Sequence, residues 1–266
     1  MQVHPSSIID KKTELGQNVK IGPFCVIGPN VVLGDNVELK SHIVITGHTK
    51  IGSGTVIYPF ASIGFNSQDD RAPTDEVTRT IIGQNNIIRE YVTIQPGTTT
   101  AKRDNLVTIV GDNNLLMLGT HIAHDCVVGN NIVFANNATL AGHVTVGDFA
   151  QIGGLAAVHQ YVRIGAYSII GGVSAVVRDV VPFGMVAGDR ANLEGFNIIG
   201  MKRQGFDQED INTVKQIIEK LFKNDDGVMS DRIKNLAHEF KDSKVATMIL
   251  DFVQKESSRA FCEPKR

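Results

Sequence analysis

The 266-residue sequence lacks several features that would place it in a class of protein at once. Its three cysteines, Cys25, Cys126 and Cys262, fit neither a disulfide framework nor a metal site, so reduced thiols are expected. The formal net charge of −2 provides no basic field for nucleic acid. The N-terminal residues contain no apolar signal core, and no later run is long enough to span a bilayer. These absences predict a soluble cytoplasmic protein with no integral membrane segment and no nucleic-acid partner.

What the sequence does contain is an apolar residue at every sixth position. The period covers residues 3–63, 82–94 and 110–176, and 25 of its 26 six-residue blocks open with Val, Ile or Leu. The residue at the fifth position of each block is mostly small or β-branched, and Gly, Asn and Asp are common between the first and fifth positions. This pattern is typical of a parallel β-helix, in which three short strands form one triangular coil. Crossovers in parallel sheets are generally right-handed, yet six-residue repeats of this kind resemble the left-handed exceptions.

Two polar segments interrupt the period, near residues 65–81 and 97–109. They are either tolerated surface insertions or, as we favour, the places where so regular a scaffold builds a site. After about Arg190 the composition changes, because residues 191–266 contain 13 acidic and 13 basic residues but only four of the 26 glycines. Apolar residues there recur at helical spacing, and Asp207 and Ser243 stand where N-caps are expected. We therefore predict a β-helix over residues 1–190 and a helical domain over 191–266 that covers the last coil.

The eighteen-residue circuit of such a prism brings distant histidines together. Strands that end at Ile94, Ile122, Leu140 and Val158 share one face, and both polar segments leave the prism at the edge that follows it. Successive coils are only about 5 Å apart. This arrangement favours catalysis or metal binding over isolated turn residues. The histidines assigned to this edge are His48, His121, His124, His143 and His159.

Metal binding and acid–base catalysis make different demands on these histidines. Zinc needs three or four ligands within tetrahedral reach, and histidine-rich trimer clefts in one branch of this architecture hold a metal. His121 and His124 are three residues apart, unlike the five-residue spacing of that branch. General acid–base catalysis needs only one imidazole with a pKa near neutrality and a group that orients it. We therefore favour acid–base catalysis without a metal.

Several stretches of the chain closely resemble the UDP-N-acetylglucosamine O-acyltransferases that open lipid A biosynthesis. The resemblance covers nearly the whole chain. A related N-acyltransferase carries a uridine-binding domain before its repeats, whereas here the repeats start at Val3, so the O-acyltransferase is expected. The stretches are LLMLGTHIAHDCVVGNNIVFANNATLAGHVTVGDFAQIGGLAAVHQY, KSHIVITGHTKIG, SQDDR, IIREYVTI and NIIGMKRQGF.

The resemblance implies a left-handed parallel β-helix of hexapeptide repeats with a small α-helical C-terminal domain, assembled as a homotrimer with active sites between subunits. It implies transfer of an (R)-3-hydroxyacyl group from acyl-carrier protein to the 3-hydroxyl of UDP-N-acetylglucosamine. His124 matches the family's general base, which takes the proton of a poorly nucleophilic sugar hydroxyl. Asp125 matches the carboxylate that orients it, and Gly142 the backbone N–H that stabilises the oxyanion. Because the thioester on the phosphopantetheine of acyl-carrier protein is already activated, no further cofactor, acyl-enzyme or metal is required.

Other positions match family residues that bind substrate. Asp69 matches the loop aspartate that holds the glucosamine hydroxyls. Gly172 matches a position whose side-chain size limits acyl length, and Arg190 falls where the family often has histidine in the same groove. The positions matched to contacts with sugar, nucleotide or pantetheine are His121, His143, His159, Gln160, Asn197 and Arg203.

Four positions depart from the family pattern. Arg71, expected to bind substrate, stands where a loop lysine is usual, and Gln95 replaces a common histidine. Ile199 and Gln204 stand where an acidic residue and a second arginine can occur. These changes leave the base and the oxyanion donor intact. They leave open whether the acceptor is the ordinary sugar or its 3-amino analogue. The acyl chain length also stays open, because the depth of the groove depends on neighbouring side chains.

Three other functions stay open at this point: a sugar acetyltransferase that uses acetyl-CoA, a metal-dependent lyase or metal-binding trimer, and a non-catalytic scaffold. A docking surface for acyl-carrier protein, which is strongly acidic, should be basic. The candidates, which could equally be ordinary solvated side chains, are Lys202, Arg203, Lys215, Lys220 and Lys223.

Overall fold

A computed structural model describes residues 1–70, 77–98, 106–222 and 228–265. Within these ranges, 26 strands of two or four residues follow one another, and each ends at the apolar first position of a repeat, as predicted. The strands are β1 (Gln2–Val3), β2 (Ile8–Ile9), β3 (Glu14–Leu15), β4 (Lys20–Ile21), β5 (Val26–Ile27), β6 (Val32–Leu33), β7 (Glu38–Leu39), β8 (Val44–Ile45), β9 (His48–Ile51), β10 (Val56–Ile57), β11 (Ser62–Ile63), β12 (Arg79–Ile82), β13 (Ile87–Ile88), β14 (Thr93–Ile94), β15 (Val107–Val110), β16 (Leu115–Leu116), β17 (His121–Ile122), β18 (Val127–Val128), β19 (Val133–Phe134), β20 (Thr139–Leu140), β21 (Thr145–Val146), β22 (Gln151–Ile152), β23 (Ala157–Val158), β24 (Arg163–Ile164), β25 (Ile169–Ile170) and β26 (Ala175–Val176).

Every third strand lies in the same parallel sheet, which gives the prism three faces. Sheet A starts with β1 and β4, sheet B with β2 and β5, and sheet C with β3 and β6. The register is constant across both polar segments, since Ile63 pairs with Ile94 and Ile94 with Ile122. The prism therefore keeps its register across each interruption, and the strand that follows, β12 or β15, lies in sheet C.

The interior is filled by the first and fifth residues of each block. In a strand, alternate side chains point to opposite faces, so the last residue of each short strand turns inward while the residue before it faces outward. Ile122 and Leu140 are completely buried, as are the fifth-position residues Cys126 and Val144. Only in the first coil, which has no coil below it, is the inward residue incompletely covered; Val3 is 39% exposed. The buried column is therefore continuous from the second coil to the C-terminal domain.

At most corners between sheets, the backbone is left-handed three residues after the strand ends. We call the corner between sheets B and C the site edge, and it contains Asp125, His143 and Tyr161, with φ of 59°, 63° and 65°. The A–B edge contains Leu155 and Val173 at the equivalent place. Non-glycine residues rarely adopt this region. On the site edge the rings of His143 and Tyr161 stack at 4.5 Å, an arrangement worth about 0.5–1.5 kcal/mol beyond burial, which offsets part of that strain.

Two further strands and four helices complete the chain. β27 (Gly184–Ala187) extends sheet A in parallel with β25, and β28 (Asn192–Phe196) pairs with it antiparallel. This pairing crosses the predicted domain boundary at residue 190, which stays a prediction. The helices are α1 (Ile198–Arg203), α2 (Gln208–Leu221), α3 (Met229–Glu239) and α4 (Lys244–Gln254).

The two predicted N-caps are confirmed. Asp207 accepts the N–H of Asp210 at 2.8 Å, and Ser243 accepts the N–H of Ala246 at 3.3 Å. Each satisfies a backbone donor that the helix itself leaves unpaired. The buried residues of α4 form a wide stripe because α4 packs against both α2 and α3; they are Val245, Ala246, Ile249, Leu250 and Val253. None of the helices in the described ranges is long and apolar enough to cross a membrane.

An arginine that forms a buried ion pair within the prism also contacts the helical domain. The Nε of Arg163 donates to Oδ2 of Asp179 at 2.7 Å, and Asp179 is completely buried. Another guanidinium nitrogen of Arg163 donates to the carbonyl oxygen of Phe252 in α4 at 3.1 Å, and the guanidinium lies over the Phe252 ring. One arginine on the last coils thus links the prism to the domain that covers it.

Candidate active site

The register of sheet B places His124, Gly142 and Gln160 at the same corner position of three successive coils. His121 pairs with Thr139 in the next strand, and Leu140 pairs with Val158 in the one after. Each of the three site residues stands two positions after a strand ends, so their Cα atoms follow the strand spacing of about 4.8 Å. The three residues therefore lie in a row along the site edge.

His124 is oriented by the carboxylate that follows it. Nδ1 of His124 lies 2.8 Å from Oδ2 of Asp125, and both side chains are about 95% buried. An ionised carboxylate only accepts hydrogen bonds, so Nδ1 carries the proton and Nε2 keeps its lone pair. A neutral imidazole with a free Nε2 is the form that a general base requires.

Two threonines, Thr98 in a polar segment and Thr108 in β15, hold Asp125. Thr98 donates its N–H to Oδ1 at 2.9 Å and its hydroxyl to Oδ2 at 2.6 Å, while the Asp125 N–H donates to the hydroxyl oxygen of Thr108 at 2.8 Å. Burial alone would raise the pKa of Asp125, but hydrogen bonds from His124 and Thr98 and the nearby His143 outweigh it and hold that pKa below its usual value. The carboxylate therefore stays ionised beside His124.

The polar segment before β12 supplies a second carboxylate. Asp69 Oδ2 lies 4.0 Å from Nε2 of His124, and the Asp69 side chain is 8% exposed. The two groups border a pocket of about 350 Å³. A larger cavity of about 810 Å³ in the helical domain contains none of the predicted site residues. The residues that line the smaller pocket are Gln68, Asp69, Asp70, Gln95, His121, Ala123, His124, Ala141, Gly142 and Gln160.

Gly142 has no side chain because the His124 ring occupies that space. A Cβ at position 142 would overlap the ring atoms of His124. Among the described residues, no group accepts a hydrogen bond from the N–H of Gly142. At the equivalent corner between sheets C and A, by contrast, N–H groups are accepted by a side chain of the next coil, as in Gln84 to Asp112 at 2.6 Å. An N–H left without a partner beside the base is suited to bind a developing oxyanion.

Two further histidines surround the base. The His143 ring meets His124 edge-on at 5.0 Å, and its Nε2 lies 3.8 Å from Oδ2 of Asp125. Nδ1 of His121 lies 2.7 Å from the Thr93 hydroxyl. Burial, and then the positive charge of a protonated His124, lower the pKa of His121, so it is a neutral lining residue at neutral pH.

The site edge continues for one more coil, where its residues are less buried. Gln160 lines the pocket, whereas His159 is exposed, and its Nδ1 contacts Arg259 at 2.8 Å. His48 starts β9 on the same edge but lies three coils from His124, about 14 Å at the strand spacing. Of the five histidines expected along this edge, His121 and His124 line the pocket, and His143 packs against His124.

The remaining predicted substrate residues lie elsewhere on the same chain. Gly172 follows β25 of sheet A and so lies on the A–B edge, and Arg190 is exposed in the turn between β27 and β28. Asn197 caps α1, with Oδ1 accepting the Gly200 N–H and Nδ2 donating to the Tyr167 carbonyl oxygen. Arg203 is exposed in the last turn of α1. One chain does not bring these four residues to His124.

Some of the predicted residues lie outside the described ranges, and another already forms an ion pair within the chain. Arg71 and Lys223 fall outside the ranges that the structure describes. Lys220 pairs with Glu239 and lies near the Phe240 ring, so it is less available to dock an acidic protein. Gln95 lines the pocket and is 6% exposed. Ile199 is 67% exposed in the first turn of α1.

The residues that sequence reasoning missed are those that position others. Thr98 lies in a polar segment where no period applies, Thr108 is an ordinary strand residue, and Arg259 lies beyond the last helix. The PGT stretch that contains Thr98 adjoins the predicted face, which was the only signal for it.

The site could in principle hold a metal ion. His124, Asp125 and His143 each offer a ligand atom, all within 4.8 Å of one another. In the structure, however, the Asp125 oxygen that faces both histidines already accepts hydrogen bonds from His124 and Thr98. This network matches the requirements of a base and its orienting group more closely than those of a tetrahedral metal site.

The fold and the site define an enzyme of the hexapeptide-repeat acyltransferase class. Residues 12–47 match the family model of the bacterial transferase hexapeptide with six repeats. Residues 179–262 match the model of the second domain of UDP-N-acetylglucosamine O-acyltransferase.

Full-length relatives identify the family. The chain is 55% identical over 264 residues to the acyl-[acyl-carrier-protein]–UDP-N-acetylglucosamine O-acyltransferase of Rickettsia prowazekii, covering 99% of this chain and 98% of that protein. The protein of the same name from Rickettsia felis is 56% identical over 260 residues, 98% and 97% of the two chains. The chain belongs to the acyl-[acyl-carrier-protein]–UDP-N-acetylglucosamine O-acyltransferase family and is an acyltransferase.

Solved structures agree with this assignment. A crystal structure of a UDP-N-acetylglucosamine acyltransferase superposes with a TM-score of 0.94 at 38% identity over the whole of both chains. The Francisella novicida enzyme superposes with the same TM-score at 34% identity, covering 100% of this chain and 95% of that one. The expected fold class is confirmed: a left-handed parallel β-helix followed by a small α-helical C-terminal domain.

Proposed function

We propose that the protein transfers an (R)-3-hydroxyacyl chain from acyl-carrier protein to the 3-hydroxyl of UDP-N-acetylglucosamine, the first step of lipid A biosynthesis, in the cytoplasm. The relatives' names support the two substrates. The observation that carries the mechanism is the orientation of His124, whose Nδ1 is fixed by Asp125 while Nε2 faces the pocket near Asp69.

In this mechanism His124 Nε2 takes the proton of the sugar 3-hydroxyl as its oxygen attacks the thioester carbon. Asp125 stabilises the imidazolium that forms, and the Gly142 N–H donates to the oxyanion of the tetrahedral intermediate. The imidazolium then protonates the departing pantetheine thiolate as the carbon–sulfur bond breaks. Asp69 accepts hydrogen bonds from sugar hydroxyls.

No covalent acyl-enzyme and no metal take part in this proposal. The thioester is already activated, and none of the described residues that line the pocket is a serine, threonine or cysteine. Cys126, the nearest cysteine in sequence, is buried and donates to the Ala141 carbonyl oxygen. Direct attack by the sugar is therefore the route that this pocket supports.

The proposed assembly is a homotrimer in which a neighbouring copy completes each site. Gly172, Arg190, Asn197 and Arg203 lie away from the site edge of their own chain, so they can serve only the pocket of another copy. Exposed apolar residues also cover the A–B edge that contains Gly172, and such a surface is typical of a protein contact. They are Phe24, Phe60, Tyr91, Leu155 and Val173, with His42 stacked between the first two rings.

Thiol release from 3-hydroxyacyl-carrier protein tests the reaction. The wild-type protein should turn over with UDP-N-acetylglucosamine or its 3-amino analogue, and His124→Ala should lower kcat by about 10²–10⁴-fold. Acid-quenched single turnovers should contain no acylated protein. No turnover with either acceptor, or trapped acyl-protein on the reaction time scale, would contradict the proposal. Stoichiometric zinc whose removal abolishes activity would favour a metal mechanism instead.

Mixed oligomers test the shared site. His124→Ala and Gly172→Met each inactivate one half of a site toward long acyl donors, so co-refolded mixtures should regain activity that neither variant has alone. Light scattering should give three times the chain mass of 28.8 kDa. A monomer with full activity would refute the assembly while leaving the reaction itself in place.

A further inference from the structure

The final residues of the chain reach the wall of the pocket. The tail 259–264 lies along the last coil, where the Cys262 N–H donates to the Asp179 carbonyl oxygen at 2.7 Å and the Leu193 N–H donates to the Glu263 carbonyl oxygen at 3.0 Å. Cys262 itself is completely buried. The tail is therefore attached along its backbone, and its first residue, Arg259, has a defined position.

Arg259 contacts two neighbouring residues of the site edge. Its Nε donates to the Gln160 carbonyl oxygen at 3.1 Å, and one terminal guanidinium nitrogen lies 2.8 Å from Nδ1 of His159. Gln160 lines the pocket. His159 follows β23 directly, as Ala141 follows β20 and Ala123 follows β17, and both alanines line the pocket. His159 thus continues the pocket wall by one coil.

The contact with Arg259 fixes the tautomer of His159. A guanidinium only donates hydrogen bonds, so Nδ1 of His159 must be the acceptor and the ring proton of the neutral imidazole lies on Nε2. Without Arg259 the alternative is close at hand, because Nδ1 lies 3.3 Å from the Gln160 carbonyl oxygen. In that case Nδ1 would carry the proton and Nε2 would become an acceptor.

We propose that Arg259 is a positioning residue of the substrate wall, holding His159 as the Nε2–H tautomer so that the ring donates to an oxygen of the bound substrate. The substrate part of this inference rests on the proposed acyl transfer, whereas the tautomer does not. The recognised group is a phosphoryl or carbonyl oxygen, which either the sugar nucleotide or the pantetheine arm can offer.

Nitrogen-15 NMR of the ring-labelled protein tests the tautomer directly. The spectra are recorded at about pH 8.5, because the two tautomers are distinguished only in the neutral imidazole. The His159 signals, assigned by their loss in His159→Gln, should show a protonated Nε2 in the wild type. Arg259→Ala should shift the population toward Nδ1–H. Arg259→Lys should retain Nε2–H, because an ammonium also only donates. A protonated Nδ1 in the wild type, or an unchanged tautomer in Arg259→Ala, would overturn the proposal.

Kinetics test what the tautomer is for. Arg259→Ala should raise the KM for one substrate about tenfold, the order that one lost hydrogen bond produces, with kcat nearly unchanged. Whether the affected KM is that of the sugar nucleotide or of acyl-carrier protein identifies the source of the oxygen. Arg259→Lys should restore most of the affinity.

The matched control removes the charge of Lys265, the residue that follows the tail. Lys265 pairs with Glu194 at 3.1 Å and contacts no site residue, so Lys265→Ala should leave both the tautomer and KM unchanged. Thermal unfolding of each variant shows whether the tail stays docked. Unchanged KM values for both substrates in a folded Arg259→Ala variant whose tautomer has shifted would refute the substrate contact. If the wild type transfers no acyl group at all, the proposed function fails, while the NMR result still decides the role of Arg259.

Discussion

Replacing Thr98 with valine removes the hydroxyl that donates to the Asp125 carboxylate. Thr98 is 2% exposed, and its hydroxyl donates to Oδ2, the same oxygen that accepts from Nδ1 of His124. Valine has nearly the same shape, and the Thr98 backbone N–H, which donates to Oδ1 at 2.9 Å, is retained. The substitution therefore tests whether the fixed orientation of Asp125 is needed for His124 to act as a base.

The size of the effect follows from the charge on the acceptor. A hydrogen bond to an ionised group contributes about 1.5–3 kcal/mol. At about 1.36 kcal/mol per factor of ten, kcat/KM should fall by roughly 10- to 150-fold if the whole contribution is expressed in the transition state. Steady-state thiol release measures this fall.

Thr98→Val should also change stability in a pH-dependent way. The pKa of Asp125 is lowered in the folded protein, so its contribution to stability is present above the unfolded pKa of about 3.9 and is lost as pH falls through the folded value. Without the Thr98 hydroxyl that lowering is smaller. The variant should therefore unfold more easily than the wild type at neutral pH, and the difference should shrink in acid.

Thr108→Val is the matched control, because its hydroxyl contacts the backbone N–H of Asp125 and not the carboxylate. It should lower the unfolding temperature, since a buried N–H without a partner costs about 1–3 kcal/mol, with much less effect on kcat/KM. Wild-type kcat/KM in Thr98→Val, or equal losses in both variants, would show that the carboxylate orientation is not what the hydroxyl supplies.

Three further substitutions probe other parts of the molecule. Gly142→Ala places a methyl group against the His124 ring, so kcat measured by thiol release should fall by about 10²–10⁴-fold. The control is Gly195→Ala, whose added Cβ lies 3.5 Å from the Met185 methyl group, and its kcat should be near that of the wild type. The pKa of His121 is lowered in the folded protein, so the unfolded chain binds a proton on His121 at a higher pH than the folded chain does. The free energy of unfolding should therefore fall as pH drops below about 6.5. His121→Gln should reduce that slope in pH-dependent denaturation, and an unchanged slope would contradict the burial argument. Arg163→Met leaves Asp179 buried without its partner, so urea denaturation should show a loss of about 3–5 kcal/mol, and a loss near zero would show that water reaches the carboxylate.

The prism could be predicted in detail because its period repeats one physical constraint. Each coil must place an apolar residue inward at the end of a short strand, and a shift of one residue would reverse every side chain. The pairing of Ile63 with Ile94, and of Ile94 with Ile122, follows from this even though long polar segments intervene. The same register predicts that His124, Gly142 and Gln160 share a corner.

The contacts that adjust the chemistry could not be predicted in this way. Thr98 reaches Asp125 from a segment with no period, and Arg259 reaches His159 from a residue one hundred positions away, beyond the last helix. Neither distance is a multiple of the circuit. Such contacts depend on how an irregular segment returns to the prism, and hydrophobic patterning does not specify that path.

The period also places Gly172, the proposed groove residue, and His124, the proposed base, on different edges of one chain. A circuit of eighteen residues fixes the corner to which every residue belongs, so Gly142, after a sheet B strand, and Gly172, after a sheet A strand, always lie on different edges. No movement of loops can bring a backbone position from one edge to the other while the coils stay paired. If the acyl groove includes Gly172, the acyl chain bound in that groove must be transferred to a sugar hydroxyl that the His124 of another copy activates. Selection for catalysis would then act on the contact between copies as directly as on the histidine itself.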